Sequence, residues 1–136
     1  MLANHVGSLY TDRFDGIALG KTSGASIAAT GNAAVTIPIT SGTAYIVRKI
    51  TVANANKNIG AANVVVLTSS DGNASNAVSN VTVLSSVTTN ATFQDVGLAT
   101  AAATAVYSAP ALYVKVNTAV SGGTCDITVF GDVVKL

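Results

Sequence analysis

Between Ala111 and Phe130 the chain reads ALYVKVNTAVSGGTCDITVF, and its apolar residues recur at every second position. Leu112, Val114 and Val116 fall on one parity and Tyr113, Lys115 and Asn117 on the other. After the small-residue turn Val120-Ser121-Gly122-Gly123, Cys125, Ile127 and Val129 alternate with Asp126, Thr128 and Phe130. A period of two sends successive side chains to opposite faces of an extended backbone. The stretch is therefore expected to form a hairpin with one apolar and one polar face.

The same signal continues upstream. In VTIPIT, Val35, Ile37 and Ile39 alternate with Thr36, Pro38 and Thr40; Pro38 has no N–H to give to a ladder, which places this strand at an edge or beside a bulge. Beyond Ser41-Gly42 comes TAYIVRKITVANA, where Ile46, Ile50 and Val52 are expected on one face. Arg48 shares that parity and is read as a rim residue, with pairing across the sheet as the alternative. NVVVLTS, 63–69, is apolar on both parities, as in a central strand covered on both sides.

SDGNASN reads as a turn around Asp71-Gly72; a calcium loop would need a glycine at its sixth position and a closing Glu, and both are missing. Further strands are expected over 77–86 and 91–96, and a short Ala-rich helix within 99–110, ended by Pro110. Seven or eight short antiparallel strands indicate an all-β chain built as an antiparallel β-sandwich. A jelly roll is the specific expectation and an up-and-down barrel the alternative.

The first 24 residues keep neither period. Leu2, Val6, Leu9, Tyr10, Phe14, Ile17 and Leu19 are spread between Gly7, Gly16, Gly20 and Gly24. Residues 1–24 are accordingly expected to be an extended N-terminal arm whose apolar side chains contact a neighbouring subunit, and residues 25–136 a single β-sandwich domain. The alternative is an N-terminal strand that joins the chain's own sheet. Within this region DGIALGKTSG, 15–24, contains GKT, but a phosphate loop needs four residues between its glycine and GK, and Gly16 to Gly20 leaves three. No helix-period pattern follows to direct its N–H groups at a phosphate, so a glycine-punctuated connector is expected instead.

Composition narrows the function classes. The 136 residues suit one domain; 49% are hydrophobic but only 10% charged, with no Glu and a formal net charge of +1. Typical domains carry about 25% charged residues, and a surface near zero net charge favours association. Mean hydropathy is +0.52, yet no apolar run approaches the roughly 18 residues of a membrane span, and no membrane association is expected. The seven Lys and Arg residues are dispersed, without the basic stripe that nucleic-acid binding requires. MLANHVGSLYTDRFDG lacks the basic and apolar regions of a secretory leader, so synthesis in the cytoplasm is expected. A single cysteine, Cys125, cannot form an internal disulfide.

No catalytic set stands out. His5 is the only histidine; a pair with Cys125 would need an orienting third group and an oxyanion donor, and Cys125 reads as an inward strand residue. Asp12 and Asp15 flank Arg13 and read as a solvated cluster rather than a metal site. No enzyme activity, cofactor or metal is expected.

As a pattern of strands and composition over residues 33–136, APALYVKVNTAVSGGTCDITVFGDVV with VTIPIT and TAYIVRKITVANA resembles the small decoration, or cement, proteins of tailed bacteriophages. The resemblance implies a β-sandwich or β-barrel that assembles as a homotrimer. It further implies a place on the outer surface of the virion capsid, bridging subunits of the major capsid protein, after synthesis in the bacterial host cytoplasm. It makes residues 1–24 the capsid- or subunit-contact arm. The alternative function is a receptor- or glycan-binding module of a phage tail or fibre, against which stands the absence of Trp, since sugars stack on aromatic platforms.

Overall fold

Alternation of β-branched and small polar residues gives eight strands in the computed structural model, which describes residues 16–135. They are β1 (Ile17–Ser26), β2 (Gly31–Pro38), β3 (Tyr45–Ala53), β4 (Asn63–Leu67), β5 (Thr82–Val83), β6 (Phe93–Asp95), β7 (Ala111–Thr118) and β8 (Thr124–Val133). One sheet has the order β1-β8-β3-β6 and the other β2-β7-β4-β5, and every pairing is antiparallel. Among the described residues, helix is confined to two short 3₁₀ turns, Ala74–Asn76 and Thr100–Thr104. The chain is thus an all-β sandwich. Its core lies between the sheets: Leu19, Ile50, Val52, Ile127 and Val129 from the first meet Ile37, Val64, Leu112, Val114 and Val116 from the second.

The alternation of Ala111–Phe130 holds residue by residue, but the expected hairpin does not form. Leu112, Val114, Val116, Cys125, Ile127 and Val129 are all buried, yet β7 pairs with β2 and β4 while β8 pairs with β1 and β3. Alternation reports that each strand is half-buried; it carries no information on which strand is its neighbour. The turn at 120–123 therefore crosses from one sheet to the other, with Gly122 at φ +69°.

Bulges account for the other phase errors. Opposite β8, Val47 pairs with Gly131 and Lys49 with Phe130, leaving Arg48 as an extra residue. An extra residue reverses the alternation, so Tyr45 and Val47 point inward before Arg48, and Ile50 and Val52 after it, while Ile46 is only half-buried. Arg48 is exposed and pairs across the sheet, its Nε 2.7 Å from Asp132 Oδ2. Two more irregularities sit in β1, at Ala18–Gly20 and Thr22–Ala25. The second contains Gly24 at φ +63°, the left-handed backbone that glycine adopts without a steric cost.

Pro38 stands in β2, an edge strand of the second sheet, as its missing donor requires. β4 is central and Val64 to Leu67 are buried on both faces. The expected strand over 77–86 shrinks to Thr82–Val83. Upstream of it, the buried Ser79 side chain accepts the Val66 N–H at 2.8 Å and donates to Asn80 O at 3.0 Å, so a hydroxyl replaces a ladder carbonyl. The expected helix within 99–110 is only a single 3₁₀ stretch, Thr100–Thr104, whose N-cap, Ala99, offers no capping side chain.

Glycine fixes how closely neighbouring strands of the first sheet approach. A Cβ on Gly131 would strike Ile46 O and the Leu19 side chain, whereas one on Gly31 would meet nothing nearer than 3.8 Å. Gly131→Ala is expected to destabilise the fold by about 1–3 kcal/mol in urea unfolding, the usual cost of overpacking. Gly31→Ala, in contrast, is expected to stay within about 0.5 kcal/mol of the parent. Equal midpoints for the two variants would contradict this packing account.

Candidate interaction surface

The sandwich has two lateral sides, and the residues that close them differ. Where β1 meets β2, Thr40 N donates to Leu19 O at 3.0 Å, Thr22 Oγ1 to Thr36 O at 2.7 Å and Ser41 Oγ to Ala18 O at 2.8 Å. Where β5 meets β6, one side chain spans the layers: Gln94 Nε2 donates to Val83 O at 2.9 Å and its Oε1 accepts the Ser86 N–H at 2.9 Å. Both strands on this side are very short, a feature that limits uncontrolled edge pairing.

Apolar side chains are nevertheless presented on the β5/β6 side. Phe93 is 62% exposed, Val81 60% and Val83 48%, although aromatic and branched side chains are normally withdrawn from water. Val81 also borders a recess of about 320 Å³ on the outer face of the second sheet. Val65, Leu67, Ala77, Ala99 and Lys115 line it as well, and Lys115 Nζ reaches Gly72 O at 3.3 Å.

The sequence singles out Leu2, Val6, Leu9, Tyr10, Phe14, Ile17 and Leu19 as arm contacts. Leu2, Val6, Leu9, Tyr10 and Phe14 lie outside the described residues, as do His5, Asp12 and Asp15. Ile17 opens β1 and is 49% exposed; Leu19, in the same strand, is fully buried in the chain's own core. From Ile17 onward the segment is thus a strand of the sandwich, the alternative weighed above. Sequence reasoning missed Val81, Val83 and Phe93. A signal for the first two was present: they share one parity while Leu84 takes the other, so a short strand there cannot bury both sets.

GKT also resolves into sheet structure. Gly20, Lys21 and Thr22 stand opposite Val129, Thr128 and Ile127 in the β1–β8 ladder, and an extended ladder cannot curl consecutive N–H groups around a phosphate. The connector expected there is a strand instead. Lys21 Nζ lies 4.0 Å from Asp126 Oδ2. Asp126 Oδ1 accepts the Gly24 N–H at 2.9 Å, and its other oxygen accepts from Asn54 Nδ2 at 3.1 Å. These bonds, led by the Gly24 amide, hold the Asp126 carboxyl below its ordinary range. Asp71 is lowered similarly, first by the Ser69 hydroxyl at 2.6 Å and then by the Asn73 N–H at 2.9 Å, the hydrogen bonds of the expected Asp-Gly turn.

Cys125 is 1% exposed, and burial pushes its thiol up to about 11. A thiol so raised is almost wholly protonated at neutral pH and is a poor nucleophile. Among the described residues no group of three or more His, Cys, Asp or Glu side chains could hold a metal ion, and no helix is long and apolar enough to cross a membrane. Comparisons with protein-family models, with curated proteins and with solved structures found no match for the chain.

Two outcomes follow from this chemistry. Iodoacetamide at pH 8 is expected to label Cys125 at least about a hundredfold more slowly in the folded protein than in urea, because both burial and protonation oppose attack; comparable rates would contradict its placement. Asp126 has a folded pKa below its unfolded value, so its stabilisation is complete above the unfolded value. It is lost as pH falls through the depressed folded one. Acid unfolding monitored by circular dichroism is therefore expected to begin at higher pH in Asp71→Ala than in the parent, because that variant lacks a second such carboxylate; an unchanged acid midpoint would contradict the turn's contribution.

Proposed function

We propose that this chain is a structural virion protein. In this reading it decorates the outer surface of a tailed-phage capsid and bridges major capsid protein subunits as a homotrimer. The observation that carries the proposal is a charge-poor sandwich whose two short edge strands leave Val83 and Phe93 in water, with Val81 exposed just before β5. Large apolar side chains left exposed at an edge are available for contact with a partner, and so few charges put little repulsion between neighbours packed closely on a lattice. The strand orders β1-β8-β3-β6 and β2-β7-β4-β5 support assigning the sandwich to the jelly rolls, whose eight strands divide into two sheets.

A clip of this kind needs no chemistry. Three modest contacts made by one trimer act together through effective concentration, so that attachment becomes far tighter than any single contact. Residues 1–15 with Ile17 supply further apolar groups for the capsid or a neighbouring subunit.

Co-sedimentation of the purified full-length chain with capsids stripped of their decoration tests the proposal. Saturable binding at hundreds of copies per capsid is expected, reduced at least about tenfold in affinity by Phe93→Asp or by removal of residues 1–15, since each deletes a contact that multivalency amplifies. No binding, or binding in a few tens of copies, would overturn the capsid assignment; the low count would point to a tail or fibre module.

A further inference from the structure

The strands of the first sheet carry their charges in columns. In the order β1-β8-β3-β6, β1 holds Lys21, β8 holds Asp126 and Asp132, β3 holds Arg48 and Lys49, and β6 holds Asp95. Side by side, the strands read positive, negative, positive, negative. Val52, Ile127 and Val129 are buried in the core, so the residues that alternate with them, Thr51, Ala53, Asp126, Thr128 and Phe130, belong to the outer face.

The register turns these columns into rows. Lys21 stands opposite Thr128, Thr128 opposite Thr51 and Thr51 opposite Asp95, so Lys21 and Asp95 close the two ends of one row. An adjacent row sets Phe130 beside Lys49. On the other side, Asp126, Ala53 and Phe93 form a third row. Gly24 extends it, since its N–H donates to Asp126 Oδ1 at 2.9 Å.

We infer that this outer face pairs with the same face of a second copy, about a two-fold axis that runs along the strands midway between β8 and β3. That rotation keeps every row at its own height and lays β1 over the copy's β6 and β8 over the copy's β3. Positive columns then meet negative ones across the whole face. Lys21 faces the partner's Asp95, and Phe130 faces the partner's Lys49, a cation over an aromatic ring. Phe93, 62% exposed, comes over the partner's Gly24, where even a Cβ would have open space around it.

The order of the columns selects this occupant. A sheet reading positive, negative, negative, positive would set like charges opposite each other under the same rotation, and such juxtaposition works against association. Aligned sheets pack about 10 Å apart with their strands within about 30° of each other. Thr51 and Thr128, at the centre of the face, are small enough to permit that approach. The inference stands on the register and charges of the first sheet, not on the capsid reading. The contact excludes Val81 and Val83, so it adds to a threefold assembly instead of replacing it. Each ion pair is exposed and weak by itself, so pairing is expected at high protein concentration, between chains or between trimers already formed.

Charge reversal in the full-length chain tests the contact. Lys21→Asp sets like negative charges together twice across the two-fold, and Asp95→Lys does the same with positive ones. Sedimentation of the parent is expected to show its dilute mass doubling as concentration rises, and either variant to need at least about tenfold more protein for the same effect. An equimolar mixture of the two variants restores both opposite-charge contacts and is expected to associate within about threefold of the parent. Damage to the fold, or to the pairs Lys21–Asp126 and Lys49–Asp95 within one chain, is not reversed by mixing. A parent whose mass does not rise with concentration, variants that associate as the parent does, or a mixture no stronger than its components would each overturn the inference. So would loss of capsid co-sedimentation in both variants while the parent stays unpaired, an outcome that gives the face to a capsid subunit.

Discussion

Two hydrogen bonds at one end of the sandwich govern how the chain divides between its sheets. Ile27 N donates to Gly123 O at 3.0 Å and Val120 N donates to Ile27 O at 3.1 Å. They tie the link between β1 and β2 to the link between β7 and β8, the two places where the outermost parts of the chain change sheet. Ile27 is fully buried there, and a Cβ on Gly123 would press on Ile27 and on the Val120 carbonyl. Once this corner is fixed, β8 is committed to the first sheet, where it pairs with β1 on one side and β3 on the other, and β7 is committed to the second between β2 and β4. Both sheets are thus organised around strands that are adjacent in sequence but separated in space.

Much of this was legible before the structure, and the exceptions have common causes. Strand existence is written in local alternation, which is why Val35, Ile37, Leu112, Val114, Cys125, Ile127 and Val129 are all found in the core. The partner of a strand is decided by non-local packing, which is why the 111–130 stretch suggests a hairpin and yields a crossing between sheets. Phase is decided by bulges: one extra residue at Arg48 moves Tyr45 and Val47 inward and leaves Ile46 half-buried. The segment 77–86 looked like a strand because its apolar residues alternate. Ser79 and Asn80 instead spend their side chains on backbone groups of Val66 and Leu98, 13 and 18 residues away in sequence, a non-local pairing that periodicity does not record. Of the arm residues, Leu19 belongs to the chain's own core, and its glycine-rich surroundings hid a bulged strand.

Low charge bears on the proposed assembly. Asp126, Asp132 and Asp95 each face a basic side chain on the first sheet, Lys21, Arg48 and Lys49 respectively. Exposed pairs of this kind add little stability, but they leave that sheet nearly neutral. Large apolar side chains are also exposed, at Val81, Val83 and Phe93 near the two short edge strands and at Ile17, Val106 and Val133 elsewhere. A neutral face presents little repulsion to a second copy, and an apolar edge gives it a place to attach. On the proposed reading, assembly accounts for both features at once.

The solution mass of the full-length chain, by light scattering coupled to gel filtration, tests that claim most directly. The account predicts a trimer, three times the 13.5 kDa chain, that persists on dilution into the low micromolar range. A monomer of 13.5 kDa at every concentration would contradict it, because the apolar edge would then face water without a partner of its own kind.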